Sequence, residues 1–295
     1  MKDNNQRSTI QNVRPGTLYV VSTPIGNLED VTLRALKILK DVDLIAAENT
    51  RQTRVFCGHY DIKTRLISYH QHNQRPRGRE LIERLKNGSD IALVTSAGTP
   101  SISDPGSLLV NMALGNGIRV SPIPGPSAAI AALSVSGLHV DRFLFLGFLS
   151  NRTGKRKKEL RDLAHEQRCM VFYEAPHRIK AMLKDICEIL GDRHVVVLRE
   201  LTKIYEEIKR GPVSLILKEL DDHVLKGEFT VVLAGAEKRE NEDFVDNKTR
   251  DIIKRLLHEN KMGVKEIATR LSKEFNLNYR TVYKEGLIIK KAMEV

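Results

Sequence analysis

From Thr17 onward, short apolar runs alternate with stretches whose apolar positions recur at helical spacing, the pattern of an α/β layered sheet. In the first half this pattern predicts strands over Thr17–Ser22, Leu44–Glu48, Ile91–Thr95 and Arg119–Ile123. Helices are predicted over Val31–Lys40, Arg77–Asn87, Gly106–Gly115 and Ser127–Ser136. Most of the strand runs are continuously apolar rather than alternating, which suits a sheet covered by helices on both faces. A second series begins at Phe143, with strands Phe143–Phe148, Cys169–Glu174, His194–Arg199 and Phe229–Ala234. Its helices are Lys155–His165, Arg178–Leu190 and a shorter one near Ser214–Asp221.

The expected organisation is therefore a disordered start over 1–15, an α/β domain over 16–140, a second over 141–236, a linker over 237–246 and a small helical unit over 247–295. The linker is inferred because Glu237–Asp246 is charged and nearly devoid of apolar residues, so it has little to bury. In the last unit the periodic runs Asp251–Leu257, Val264–Leu271 and Thr281–Ile289 can each bury one face. There is no internal repeat and no low-complexity tract.

Charge narrows the partners. The 295 residues carry 48 Lys and Arg against 37 Asp and Glu, a formal net charge of +11, which attracts phosphate-bearing partners. Val245–Val295 alone holds 12 basic and 7 acidic residues, a net of +5. Cys57, Cys169 and Cys187 are odd in number and widely spaced, which fits neither a zinc pattern nor a disulfide framework. Met1–Arg14 is polar, and no stretch approaches the roughly 20 apolar residues that span a bilayer. A soluble protein in the reducing cytoplasm is expected.

Candidate chemistry gathers in three loops, each following a predicted strand. They run over Thr23–Asn27, Ser96–Gly106 and Pro122–Ala128, and all are crowded with Gly, Pro, Ser and Thr. Glycine lets backbone approach a ligand and proline stiffens the path. In open α/β sheets ligands bind beyond the carboxyl ends of the strands, so three such loops on one edge suggest a pocket, although ordinary turns use the same residues. The familiar nucleotide signatures are absent. Gly115-Asn116-Gly117 follows a helix and lacks a third glycine, and there is no G-x-x-x-x-G-K-S/T run. His70-x-His72 has no convincing further ligand in sequence, so no metal is expected.

Charged clusters end several strands: Glu48-Asn49-Thr50-Arg51 with Arg54, Glu174-Ala175-Pro176-His177-Arg178, and Arg199-Glu200-Leu201-Thr202-Lys203. Each alone could be a cap or a solvated face; together, at strand ends, they point to a shared cleft. Arg152, Lys155, Arg156, Lys157, Lys158 and Arg161 form a basic run just past the domain boundary. They are the candidates for contact with the phosphates of a nucleic acid, against the alternative of a merely solvated face.

Gly16–Asp30, Ala46-Ala47-Glu48-Asn49-Thr50-Arg51, Ala97–Gly106 and Pro122–Ala128 together resemble the bacterial 16S ribosomal RNA cytidine ribose 2′-O-methyltransferase family. So do Ser136-Gly137-Leu138, Asp141-Arg142-Phe143, Phe172–Arg178, Arg199–Lys203 and Glu206-Glu207, in order over roughly Gly16 to Gly235. That family lies within the class III, tetrapyrrole-methylase-like methyltransferases. The C-terminal unit is similar to its helix-turn-helix-like tail, with Tyr279–Lys291 as the last helix.

The resemblance implies two αβα domains, a homodimer, and S-adenosyl-L-methionine held folded in the interdomain cleft. Carried over, the cofactor would meet Pro24, Gly98, Thr99, Pro100, Ile102, Ser127, Ala128 and Tyr173. The substrate would be a cytidine near the decoding centre of 16S rRNA in the small ribosomal subunit. Glu48, Arg51, Glu200 and Lys203 are then candidates for aligning or deprotonating the 2′-hydroxyl; each could equally form a structural ion pair. Asn49 and Ser96 stand where the family usually carries aspartates, so a base at either place would be missing, and a positioned base is worth about 10²–10⁴ in rate. Two rivals stay open: a same-fold methyltransferase of a corrin or porphyrin precursor, and a non-catalytic rRNA-binding assembly factor.

Overall fold

The computed structural model describes residues 14–221, 225–237, 245, 247–259, 262–275 and 277–293. The expected disordered start (1–15) and linker (237–246) lie almost wholly outside the described residues. Residues Met1–Ala236 group into one compact unit and Glu237–Val295 into another.

Ten strands in the first unit form two sheets of five. The first contains β1 (Thr17–Val21), β2 (Leu44–Ala47), β3 (Leu66–Ser68), β4 (Ile91–Val94) and β5 (Arg119–Ile123). Their order is β3-β2-β4-β1-β5 and every pairing is parallel. Around them lie α1 (Leu33–Asp41), α2 (Thr50–His59), α3 (Gln74–Lys86) and α4 (Ser107–Gly115). Side chains of a strand alternate between faces, so Leu44, Ala46, Ile91 and Leu93 pack with Leu81, Leu85 and Leu109. Ile45, Ala47, Ala92 and Val94 meet Ala35, Leu39 and Phe56 on the opposite face. Both faces are buried, which is why these strands read as unbroken apolar runs.

The second sheet contains β6 (Phe143–Phe148), β7 (Cys169–Glu174), β8 (His194–Arg199), β9 (Glu207–Pro212) and β10 (Phe229–Leu233), in the order β6-β7-β10-β8-β9. β6 and β7 are parallel; the remaining pairings are antiparallel. One face is covered by α6 (Thr153–Asp162), α7 (Ile179–Leu190) and α8 (Val213–Asp221). The other is covered by α5 (Ala128–Ser134), whose Ala129, Ala132 and Leu133 pack on Val171, Val196, Leu198 and Val232. Thus α5 precedes Val140 in the chain yet belongs by packing to the second sheet, fastening one half of the unit to the other.

Three elements escape the hydrophobic pattern. β3 has only three residues, β9 is an edge strand bearing Glu207, Lys209 and Arg210, and α2 opens on the polar Thr50-Arg51-Gln52-Thr53. Charged edge strands are a common guard against unwanted pairing. The second unit holds α9 (Asn247–His258), α10 (Val264–Glu274) and α11 (Tyr279–Met293) around Ile253, Ile267, Leu271, Val282 and Ile289. Each helix outruns its apolar period by one or more polar residues at its ends. No helix among the described residues is long and apolar enough to cross a membrane.

Candidate active site

The chain leaves β1 toward β2 on one side and leaves β4 toward β5 on the other, so the two neighbouring strands form a switch point where ligands bind. Their loops are tied together. Thr23 N–H donates to Gly98 O at 2.9 Å and Gly98 N–H to Thr23 O at 3.1 Å, while the Thr23 hydroxyl donates to Thr95 O at 3.2 Å. Ser22 and Thr99 share a hydroxyl contact of 2.8 Å. Gly98 lies at φ +73°, and Ser101 and Ser103 at +74° and +65°, a region that side chains avoid except where surrounding structure holds them.

These loops wall a cavity of about 440 Å³ between the two sheets, within the usual range for small-ligand sites. From the first half it is lined by Ile25, Gly98, Thr99, Ile102, Ser127 and Ala128. Phe148, Tyr173, Glu174, Leu201, Glu228 and Phe229 complete it from the second. Tyr173 joins the halves: its phenol oxygen accepts Ala129 N–H at 3.2 Å, and its ring meets Phe145 and Phe148 edge-on at 5.1 and 5.8 Å. A second clasp lies beyond, where Asn27 N–H donates to the Thr202 hydroxyl at 3.0 Å. A Cβ on Gly26 would sit 2.5 Å from Lys203, 2.7 Å from Thr202 and 2.9 Å from Leu201 O. Gly26→Ala is therefore expected to cost about 1–3 kcal/mol through overpacking, read as a fall in Tm; an unchanged Tm would show that this approach is not tight.

Of the eight residues proposed for the cofactor, Gly98, Thr99, Ile102, Ser127, Ala128 and Tyr173 line this cavity. Pro24 instead lines an adjoining recess with Thr23, Gln52, Lys203 and Glu228, and Pro100 is buried outside both. The four candidates for handling the hydroxyl do not converge. Glu48 lines the cavity, but its Oε2 accepts from the Thr95 hydroxyl (2.7 Å), Ser96 N–H (3.0 Å) and the Ser96 hydroxyl (2.8 Å). Burial pushes its pKa up, yet these donors and His70 outweigh that and hold it below the usual carboxylate value. Glu200 accepts Lys203 Nζ (2.8 Å) and Glu228 N–H (3.0 Å), while Lys203 also reaches Glu228 at 3.0 Å. That pair holds the loop before β10 in place. Arg51 is exposed on the first turn of α2, away from the cavity.

Asn49 caps α2, its side chain accepting Arg51 N–H at 3.1 Å and Gln52 N–H at 3.2 Å; an aspartate there would accept the same two bonds. Asp104 is the residue that the sequence did not single out. It lines the cavity, and desolvation together with the negative charges of Glu48 and Glu228 pushes its pKa up to about 6. Its only sequence signal is position, a carboxylate inside a ligand loop.

The basic run divides. Arg152, Lys155, Lys158 and Arg161 are exposed. Arg156, expected among the phosphate contacts, is instead 4% exposed and clamps α6 to α7: its Nε and Nη2 reach Asp185 Oδ2 at 2.7 and 2.6 Å. A buried, paired guanidinium is not available to RNA. Lys157 is drawn to Glu188 at 2.7 Å and Asp185 at 3.7 Å. Among the described residues no group of three or more His, Cys, Asp or Glu is arranged to hold a metal.

Comparison with known proteins gives this geometry its context. A protein of Halalkalibacterium halodurans named "Ribosomal RNA small subunit methyltransferase I" is 48% identical over 239 residues, covering 81% of this chain and 83% of its own. One of the same name from Synechocystis is 44% identical over 273 residues, covering 92% and 98%. Among solved structures, a cobalt precorrin-4 methyltransferase superposes with a TM-score of 0.58 at 16% identity, over 74% of this chain and 94% of that one. The Thermus thermophilus uroporphyrin-III C-methyltransferase complexed with S-adenosylhomocysteine gives 0.54 at 17%, over 74% and 96%. The family described as Tetrapyrrole (Corrin/Porphyrin) Methylases matches residues 17–216, and the chain belongs to that family.

Proposed function

We propose that the protein is an S-adenosyl-L-methionine-dependent methyltransferase that methylates the 2′-hydroxyl of a cytidine ribose in 16S rRNA of the small ribosomal subunit. The observation that carries the cofactor reading is the charge of the cavity. Glu48, Asp104, Glu174 and Glu228 line it, and no Lys or Arg does among the described residues. Such a lining repels nucleotide phosphates and favours a ligand bearing cationic groups. S-adenosyl-L-methionine, with its sulfonium and ammonium, is such a ligand and supplies a methyl activated by the positive sulfur. Glu174 is buried, its Oε1 paired with Arg178 Nε at 3.1 Å and its Oε2 without a hydrogen-bond partner, and Tyr173 and Phe148 add aromatic rings to the same lining.

The protein's own work is mainly positional. Gly98, Thr99, Ile102, Ser127, Ala128 and Tyr173 would hold the cofactor, and the stiff Gly/Pro loops fix it without much ordering cost. Holding two reactants at attack distance can supply about 7–11 kcal/mol. An acidic cavity cannot hold the RNA backbone, so phosphate contact falls to exposed cations: Arg152, Lys155, Lys158 and Arg161 on and before α6, and the basic C-terminal unit. The strong likeness to proteins named for small-subunit rRNA methylation favours RNA over a corrin or porphyrin precursor. A homodimer remains part of this reading; Ile204 and Tyr205, 94% and 76% exposed on the loop after β8, offer apolar surface for a second copy.

The test is mass-spectrometric mapping of ribose methylation in small-subunit RNA from cells with and without the protein. Loss of a single 2′-O-methylcytidine is expected, restored by the wild-type chain; identical maps would refute the substrate assignment.

A further inference from the structure

In the C-terminal unit α11 buries Val282, Gly286 and Ile289 along one line. A Cβ on Gly286 would lie 2.9 Å from Val264 at the start of α10, so this line is tightly seated and the opposite one is left to solvent. By helical period, Arg280, Lys284, Leu287 and Lys291 fall on that outer line, with Tyr279, Tyr283 and Lys290 along one edge of it. Arg280, Lys284, Leu287, Lys290 and Lys291 are all exposed, and Tyr283 is half-buried. Tyr279 is 41% exposed. The two tyrosine rings stand 5.9 Å apart and within 9° of parallel, flat aromatic surface bordered by cations.

The charge of this face has one sign. α11 carries Arg280, Lys284, Lys290 and Lys291 against a single carboxylate, Glu285, which lies on the other flank in an ion pair with Arg250 at 2.7 Å. Among the described residues no carboxylate pairs with Arg280, Lys284 or Lys291. A row of unneutralised cations suits a phosphate backbone. Aromatic rings beside such a row suit nucleobases, provided that the bases are not already covered by their neighbours in a duplex.

We propose that this face of α11 holds an unpaired stretch of rRNA, with a base stacked against Tyr279 beside Tyr283 and the flanking phosphates on Arg280, Lys284 and Lys291. The inference deepens the rRNA substrate proposed above and rests on it. Stacking gives the face a preference that charge alone does not: a duplex of equal length brings more phosphates but no open base. The major groove of an RNA duplex is also too deep and narrow for side chains to read.

The experiment measures equilibrium binding of the full-length protein to a short fluorescein-labelled oligocytidylate over a range of salt concentrations, without cofactor, and compares RNA and DNA duplexes of the same length. The wild type should bind the single strand more tightly than either duplex. Tyr279→Leu should weaken single-strand binding about fivefold or more, the lower end of what one stacked base contributes. The loss should be the same at every salt concentration, because stacking releases no counterions. Tyr279→Phe keeps the ring and should stay within about twofold of wild type. Replacing Arg280, Lys284 and Lys291 together by alanine should instead reduce the slope of log K against log salt by about 2, at roughly 0.7 per lost phosphate contact. All three are exposed, so the Tm should hardly move.

Tighter binding to either duplex, full affinity in Tyr279→Leu, equal losses in the Leu and Phe variants, or an unchanged slope in the triple variant overturns the assignment of this face. If these fail while the ribose map still loses a methylcytidine, the surface is wrong and the substrate stands. Binding as expected with an unchanged ribose map refutes the rRNA substrate, and with it the identity of the strand assigned to this face.

Discussion

Arg156→Ala is expected to destabilise the protein by about 3–5 kcal/mol, the cost of stranding a buried charge, although it removes one of six cations in an apparently uniform run. The guanidinium lies between α6 and α7 with 5% of its side chain exposed, facing Asp185 with 9% exposed, and its Nη1 also reaches Ser150 O at 3.4 Å. Without it, the Asp185 carboxylate would remain buried with only Lys157 at 3.7 Å for company. Urea denaturation measures the loss. The complementary variant replaces Arg152, Lys155, Lys158 and Arg161 together by alanine. All four are exposed, so stability should change little. RNA affinity should fall, and the slope of log K against log salt should shrink by up to about 3, at roughly 0.7 per lost contact with single-stranded RNA. An Arg156→Ala protein as stable as wild type, or an unchanged salt slope in the quadruple variant, would reverse these roles.

Gly98→Val should have the largest effect on cofactor affinity. Gly98 sits at φ +73°, where an L-residue costs about 1–2 kcal/mol and a β-branched one more. It is also the residue that pairs with Thr23 across the two loops and forms part of the cavity wall. Relaxing the strain would open that pairing and shift the wall, so binding should weaken at least about tenfold, equivalent to 1.4 kcal/mol. Gly117→Val is the control. Gly117 has a similar φ of +68° with nothing within 4 Å of its would-be Cβ, and it lies in the turn after α4, outside the cavity. It should cost comparable stability and leave cofactor affinity intact. Calorimetric titration of both variants separates backbone strain from damage to the site; equal loss of affinity in the two would mean that Gly98 acts only through stability.

The fold was legible because burial on both faces of each sheet writes itself as apolar runs, as in Ile91–Val94 and Val195–Leu198. The ligand loops were legible because close backbone approach and positive φ demand Gly and Pro at strand ends. The misses have physical causes. β9 answers to edge chemistry rather than burial, and β3 is too short to show a period. The partition of the basic run was partly readable: Arg156 stands four residues before Leu160, on the same helix face, and both are buried. Sequence could not show that α5 crosses to the second sheet, which depends on how the two sheets meet, nor that Asp104 lies near Glu48, which depends on β2 and β4 being neighbours in the first sheet. Glu200 and Lys203 show the converse. Their strand-end position is correct, but the ion pair they form with Glu228 is turned to holding the cleft's far wall.

The central claim is that a cavity with four carboxylates and no Lys or Arg side chain among its lining residues receives a cationic methyl donor. The most direct measurement is a crystal structure with S-adenosyl-L-methionine or its demethylated product bound. Density is predicted against Gly98, Thr99, Ile102, Ser127, Ala128 and Tyr173. Ligand bound elsewhere on the chain, with this space still empty, would contradict it.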